Sequence, residues 1–487
     1  MKEYTLERLI DIAIALSAEK DINVLLDRIL KEAMDITSCD GGTVYILNDG
    51  KLHFRNMITV SKGTHFGGPG EPLPSIPPIP LGRTHVCACA ALDNRKINIA
   101  DVYESGEFDF KGAKAFDESN DYRTCSMLVI PMNDEKDNPI GVLQLINAKD
   151  ENGNTVPFKK AQENLISALA SQAAVSLNNK RLLQTVQDIL HSFVEVMVDA
   201  VDARTPYNAN HTRHMVTYAD RFLKWCRESG HDDLIDRDDE DAFLMSVWLH
   251  DIGKLVIPME IMDKPTRLGS AESTIMNRIT IGILMEKLKG YEDPKAASGA
   301  KEAVMKLEDA KELILSANSA GYLPDEKIEA LKKLSQITCL TEKGEKIPLL
   351  DDKELTAITV QKGTLTSDER RVMESHVSFT TRMLQKMKFD GVYARVPEWA
   401  GNHHELLDGS GYPDHKNAED LSTEVRLLTI LDIYDALTAD DRPYKPPMPV
   451  EKAFAILKDM AGEGKLDSSL LELFIESNAW DNNAHKG

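Results

Sequence analysis

The chain has 487 residues, enough for roughly three domains of ordinary size. Hydrophobic residues at 42% and charged residues at 28% exclude a disordered, collagen-like or low-complexity chain. The 57 basic and 79 acidic residues leave a net charge of −22, which argues against a nucleic-acid binder. A small phosphorylated ligand stays possible, provided that metals and a few Lys or Arg make its pocket locally basic.

The first apolar stretch, Leu6 to Leu16, has helical spacing but is broken by Asp11 and has no small-residue cleavage site, so it does not read as a secretory signal. No run approaches the ~20 apolar residues of a membrane span. Six cysteines without a secretory signal read as reduced thiols, and a cytoplasmic location is expected. A second helix is expected over Ile22–Ile36. Strands are expected at Thr43–Leu47, Ser126–Ile130 and Gly141–Ile146, with turns at Asn48-Asp49-Gly50 and Asn152-Gly153-Asn154. Residues 66–82 form a Gly/Pro-rich loop. Residues 1–160 thus read as an α+β domain of sensor size.

A long connecting helix follows over 161–200. Leu165, Leu169, Gln172, Ser176, Asn179, Leu183, Val186, Leu190, Phe193 and Met197 alternate in steps of four and three, a heptad seam. It crosses a domain boundary without Gly or Pro, so a parallel homodimer through this helix is expected in preference to a helix packed only on its own domain. From about 200 onward the chain reads as all-helical. Residues 273–361 differ: two helical stretches flank Gly321-Tyr322-Leu323-Pro324, and no His lies between Asp251 and His376.

The thirteen histidines are unevenly spread. The C-terminal half holds His211, His250-Asp251, His376, His403-His404 and then Asp432, all N or O donors suited to divalent transition metals. One His-Asp pair is weak evidence. Adjacent histidines on a helix diverge by about 100°, so His403 and His404 either address a site from two directions or divide between binding and packing. Gly253 is expected to end the helix that carries His250 and Asp251. Asp432 sits among Leu, Ile and Tyr, where a carboxylate is costly unless paired or metal-bound.

HDIGKL, HHELLDGSGYP and LDIYDALTADDRPYK, in this order, strongly resemble the HD-GYP family of bacterial metal-dependent phosphohydrolases, which cleave cyclic dinucleotides, chiefly cyclic di-GMP. The resemblance covers about residues 190–460. It implies His211, His250, Asp251, His376, His403, His404 and Asp432 as ligands of two divalent transition metals, with Asp251 bridging them. Iron or manganese fits mixed imidazole and carboxylate ligands better than magnesium. Two ions roughly 3.5–4 Å apart lower the pKa of a shared water and clamp a phosphodiester, so a bridging hydroxide would attack and give linear pGpG, GMP or both. Asp251 and Lys254 are then the expected catalytic residues. Lys254, Arg442 and Lys445 are expected to hold the two phosphates, while Gly411, Tyr412 and Pro413 shape the pocket.

Tyr207 stands where members with a third metal carry Glu, which favours two metals. His214 is expected behind the ligands or at the surface. KPTRLGSAE (264–272) and KGTLTSDE (362–369) both resemble the family segment before the third His. The expected HD-GYP domain is therefore 201–272 with 362–487, split by a helical insertion at 273–361 that acts as lid, partner surface or spacer.

FDESNDYRTCSMLVIPM (116–132) and GVLQLINAKD (141–150) resemble GAF domains of cyclic-nucleotide phosphodiesterases. Their signature is only partial: Asn147 is followed by Ala148 in place of Lys, and Phe158 by Gln162-Glu163 in place of Asp-Glu. The GAF ligand is left unassigned. His85-Val86-Cys87-Ala88-Cys89 reads as buried packing rather than as a metal or haem site. The expectation is a GAF-regulated cyclic di-GMP phosphodiesterase. Turnover of hybrid cyclic GMP-AMP, another HD phosphohydrolase activity, and a degenerate binding scaffold are the alternatives.

Overall fold

The computed structural model describes residues 11, 12, 14–16, 18, 19, 21–108, 110–204, 210–341, 343–439 and 448–481. The chain divides into two compact units, Met1–Ile189 and Leu190–Gly487.

The first unit is built on antiparallel strands: β1 (Cys39–Asn48), β2 (Lys51–Thr59), β3 (Thr64–Phe66), β4 (Ile79–Pro80), β5 (Ile97–Ile99), β6 (Met127–Asn133), β7 (Pro139–Lys149) and β8 (Thr155–Val156). Their spatial order is β3-β2-β1-β7-β6-β5, with β4 on β2 and β8 on β7. The three expected strands fall in β1, β6 and β7, and the Pro-rich loop adds only β4. Alternation puts Val44, Leu128 and Leu143 on one face and Tyr45, Val129 and Val142 on the other. Helix α1 (Ile22–Thr37), capped by the Asp21 carboxylate, covers the first face; α2 (Val86–Leu92) covers the second. Cys87 and Cys89 are buried in α2, as packing requires. A further helix, α3, spans Lys111–Asn120.

Helix α4 (Lys160–Asp202) is continuous for 43 residues. Its seam differs from the expected one. Leu169 and Ser176 are buried, with Leu169 in the core of the first unit, and Leu190 and Met197 pack on the core of the second. The exposed face keeps Leu183, Val186 and Phe193 of that seam and adds Leu182, Ile189 and Val196. Intramolecular cores take part of the heptad at both ends of the helix, and its Leu183, Val186 and Phe193 stay exposed.

The second unit places α5 (His211–Ser229) and α6 (Glu240–Leu249) against a core containing Phe222, Phe243, Trp399, Leu428 and Phe474. The insertion has its own core. Helices α7 (Ala271–Glu292), α8 (Ala297–Asn318), α9 (Asp325–Leu334) and α10 (Asp352–Ile358) enclose Ile275, Ile279, Leu307, Ile314, Leu331 and Ile358. It is not wholly helical, because β9 (Thr338–Leu340) and β10 (Lys346–Pro348) pair as a hairpin.

The two similar segments flanking the insertion meet in space. The Lys264 ammonium donates to both Glu369 oxygens at 2.7 and 2.8 Å. Arg267 is fully buried and donates to the carbonyls of Val360 (2.6 Å), Ala317 (2.9 Å) and Ala320. A buried guanidinium is tolerable only because carbonyls surround it, and here they fasten the exit of the chain to its return. The chain then runs through α11 (Ser367–Leu384), a turn of helix at Val396–Ala400, α12 (Thr423–Thr438), α13 (Val450–Gly462) and α14 (Ser468–Glu476). Among the described residues, no helix is long and apolar enough to cross a membrane.

Candidate metal centre

Seven side chains from five places in the chain converge in the second unit. His211 opens α5, His250 and Asp251 follow α6, His376 lies on α11, His403 and His404 follow the Val396–Ala400 turn, and Asp432 lies on α12. All are buried except His404, which is half-buried. Donor atoms of His376, His403 and His404 lie within 4.8 Å of one another, as do those of His211, His250 and Asp432, and those of His250, Asp251 and His403.

Asp251 stands between the first two groups. Its Oδ1 faces His376 Nε2 at 3.4 Å and His403 Nε2 at 3.9 Å. Its Oδ2 faces His250 Nε2 at 3.2 Å and His211 Nε2 at 3.9 Å. Asp432 likewise reaches His211 Nε2 (3.3 Å) and His404 Nδ1 (3.4 Å). Both adjacent histidines thus bring a donor atom to the same cluster.

Backbone carbonyls determine which nitrogen is bare. The Nδ1–H of His250, His376 and His403 donates to the carbonyl three residues earlier, on Val247, Met373 and Ala400, at 2.6–2.7 Å. A carbonyl can only accept, so the proton sits on Nδ1 and Nε2 carries a lone pair. Those three Nε2 atoms and Asp251 Oδ1 are buried without any hydrogen-bond partner. Four orphaned buried acceptors facing one another are costly, about 1–3 kcal/mol each, unless cations sit between them. Burial brings His376 down to about 4 and lowers His403 and His404, so these imidazoles stay neutral. Burial opposes ionisation of Asp251, but Lys254 and the neighbouring imidazoles hold its carboxyl well below the usual range. The residues fit divalent cations.

The supports of this donor set were not legible in the sequence. Asp435, buried, accepts from His211 Nδ1 at 2.6 Å and orients that ring. It also lies 3.4 Å from His214 Nδ1, which places His214 behind the donors. Against burial, Asp432 and Asp435 raise His211 to about 10. The Thr380 hydroxyl donates to the His250 carbonyl (2.9 Å) and accepts from Gly253 N–H (3.0 Å), and the Thr429 hydroxyl donates to the His403 carbonyl (3.0 Å). Asp435 stands three residues after Asp432, one helical turn away, and this spacing was the available signal.

Gly253 does not act as a helix stop. It lies inside the 3₁₀ turn Ile252–Val256, where a Cβ would stand 1.9 Å from the His376 carbonyl oxygen and 2.6 Å from Thr380 N. The glycine lets the Asp251 loop press against α11. Lys254 donates to Asp251 Oδ2. Arg204, just past α4, donates to the carbonyls of Lys254 (3.2 Å), Ile257 (3.0 Å) and Leu255, tying the end of the connecting helix to the loop that carries Lys254.

The loop Gly411-Tyr412-Pro413, with a cis Tyr412–Pro413 bond, folds back on the histidines. Tyr412 N donates to the His404 carbonyl at 3.1 Å, and the two rings stand 4.8 Å apart. A Cβ on Gly411 would lie 2.4–2.6 Å from backbone atoms of His404, Glu405 and Leu406. Buried Glu405, another residue missed from sequence, accepts from the backbone of Asp414 (2.6 Å) and Lys416 (3.0 Å) and holds the loop in place. Arg442, Lys445 and Tyr207 lie outside the described residues.

Residues 21–177 match the GAF domain family, and residues 353–470 match the HD domain family. The second match begins within the last helix of the insertion, so His211, His250 and Asp251 precede it. A Vibrio cholerae protein named 3'3'-cGAMP-specific phosphodiesterase 3 is 41% identical over 103 residues, 21% of this chain and 22% of that protein. V. cholerae 3'3'-cGAMP-specific phosphodiesterase 1 is 33% identical over 115 residues, 24% of this chain and 26% of that protein. A Thermotoga maritima cyclic di-GMP phosphodiesterase is 31% identical over 106 residues, 22% of this chain and 28% of that protein. Each match thus spans little more than a quarter of the relative at most. With its sheet-based first unit and helical second unit, the chain is a GAF–HD protein, carrying a GAF domain over residues 21–177 and an HD domain matched over residues 353–470.

Proposed function

We propose that the chain is a metal-dependent cyclic dinucleotide phosphodiesterase of HD-GYP type, hydrolysing cyclic di-GMP to linear pGpG, GMP or both. The carrying observation is the pair of donor groups that share Asp251, with four buried acceptors left without partners. His376, His403 and His404 would hold one ion and His211, His250 and Asp432 the other, with Asp251 between them; iron or manganese suits such donors. Bound there, two ions supply Lewis-acid polarisation of a phosphodiester and a low-pKa water.

The remaining roles fall to the chain itself. Lys254 holds the charge on Asp251 and meets the scissile phosphate, and Arg442 and Lys445 hold the second phosphate. Tyr412, between Gly411 and Pro413, closes the pocket over His404 and offers a ring for a base to stack on. The domain limits we propose are 1–160 for the sensor, 161–200 for the connecting helix, 201–272 with 362–487 for the catalytic domain, and 273–361 for the insertion. The GAF domain regulates the site in a cytoplasmic homodimer joined through α4.

A second reading, 3'3'-cGAMP as substrate, is favoured by the 41% identity to a relative bearing that name. Incubating metal-loaded full chain with each cyclic dinucleotide and separating the products chromatographically tests both readings. Linear products from cyclic di-GMP are expected. No turnover of either compound, with metal bound, would leave a binding scaffold.

A further inference from the structure

The GAF domain encloses a cavity of about 370 Å³ on the α2 side of its sheet, within the range of roughly 300–1,000 Å³ typical of small-molecule sites. Tyr45, Phe54, Met57, Phe110, Met127 and Ile146 supply most of its wall. Among the described residues, the lining contains no Asp, Glu, Lys or Arg. Its buried polar groups carry no charge: burial pushes the Cys87 thiol up to about 12, and Thr59 contributes a hydroxyl, while the half-buried Gln144 adds an amide and the imidazole of His85 stands exposed at the edge.

An acidic side chain stands directly behind the wall, the wrong sign for a phosphate. Thr124, part of the lining, donates its hydroxyl to Asp117 Oδ1 at 2.8 Å and its backbone N–H to Oδ2 at 2.8 Å. Asp117 is itself buried. An anion inside the cavity would lose its hydration, find no Lys or Arg and only the exposed His85 at the edge, and face the Asp117 side chain behind Thr124.

The partial cyclic-nucleotide signature is used elsewhere. Asn147 accepts from Cys125 N–H (2.7 Å) and donates to the Arg123 carbonyl (2.7 Å) and Tyr122 hydroxyl (2.9 Å), fixing a bend in β7. Phe158 is buried in the core on the other face of the sheet, and Glu163 pairs with Lys160 and Asn98. None of them lines the cavity.

We infer that the GAF cavity is a binding site for an uncharged, ring-containing small molecule, recognised by aromatic and aliphatic contact with a single amide contact at Gln144, and not for a cyclic nucleotide. The assignment builds on the reading of this domain as the sensor, but its test needs no turnover, so its failure is separate from failure of the phosphodiesterase reading.

The test titrates the full chain with N-phenyl-1-naphthylamine, an uncharged two-ring dye that fluoresces on leaving water. Saturable binding at one site per chain is expected, with no displacement by excess cyclic GMP or cyclic AMP. Two separate variants, Ile146→Trp and Met57→Trp, fill the cavity, Met57 from a half-buried position that tolerates bulk. Each should weaken dye binding about tenfold or more while keeping the native circular dichroism spectrum. Absence of saturable binding, displacement of the dye by either cyclic nucleotide, or undiminished binding in a folded variant overturns the inference. If one variant does not fold, the other decides.

Discussion

Asp251 and Asp435 show how differently two buried carboxylates serve one centre. Asp251 presents one oxygen to each group of histidines, so its removal takes a donor from both. Asp251→Ala is expected to abolish turnover and to reduce bound metal by elemental analysis; retained activity would mean that the shared role is misassigned. Asp435 orients the His211 ring through Nδ1 and lies 3.4 Å from His214 Nδ1. Asp435→Asn keeps the shape but weakens that acceptor, and a supporting contact of this kind is worth about 10–100-fold in metal affinity. The expected outcome is therefore a raised metal requirement with activity recovered at high metal, read from a metal titration. Loss that no metal concentration restores would make Asp435 more than a support.

At the scale of elements, the start of α11 is held from two sides. Thr366 and Glu369 form a capping box, and Lys264, before the insertion, donates to the same Glu369 carboxylate. Burial alone would raise this carboxyl, but Lys264 and the capping-box hydrogen bonds hold it below its ordinary value of 4.5. A depressed folded pKa contributes stability that is complete above that ordinary value and is lost as pH falls below it through the folded one. Thermal midpoints of Lys264→Met and the parent should therefore differ at pH 7 and converge on acidification below about 4.5. A difference independent of pH would show that Lys264 acts through packing. Because α11 carries His376, this ion pair also bears on the metal centre.

At the scale of the molecule, α4 is one helix serving two cores and leaving a stripe exposed between them. Val186 and Phe193 are 63% and 51% exposed among the described residues. Large apolar residues in heptad register on an open helix face fit the same face of a second copy. The double substitution Val186→Glu and Phe193→Glu is expected to turn a dimer into a monomer by light scattering, with little change in thermal midpoint. A monomeric parent would remove the dimer from the proposal. The tie from Arg204 to the Lys254 loop lies at the C-terminal end of this helix, so a shift of α4 has a direct covalent and hydrogen-bonded route to the centre.

The sequence by itself determined the inventory: which residues are donors, that they stand in HD-GYP order, and where strands alternate in the GAF sheet. These are local properties, carried by residue type and by spacings of two, three and four. Tertiary structure alone decided which donors cluster together, that Asp251 lies between the two groups, and that Asp435, Glu405 and Thr380 support them, because contacts across 130 or 224 positions leave no local pattern. It also shortened the exposed heptad stripe, since burial against two cores selects which part of a helix remains in water. Likewise, the GAF signature identifies a fold position, but the cavity's lining is set by side chains from several strands, and only their assembly showed that no Asp, Glu, Lys or Arg is among its described residues.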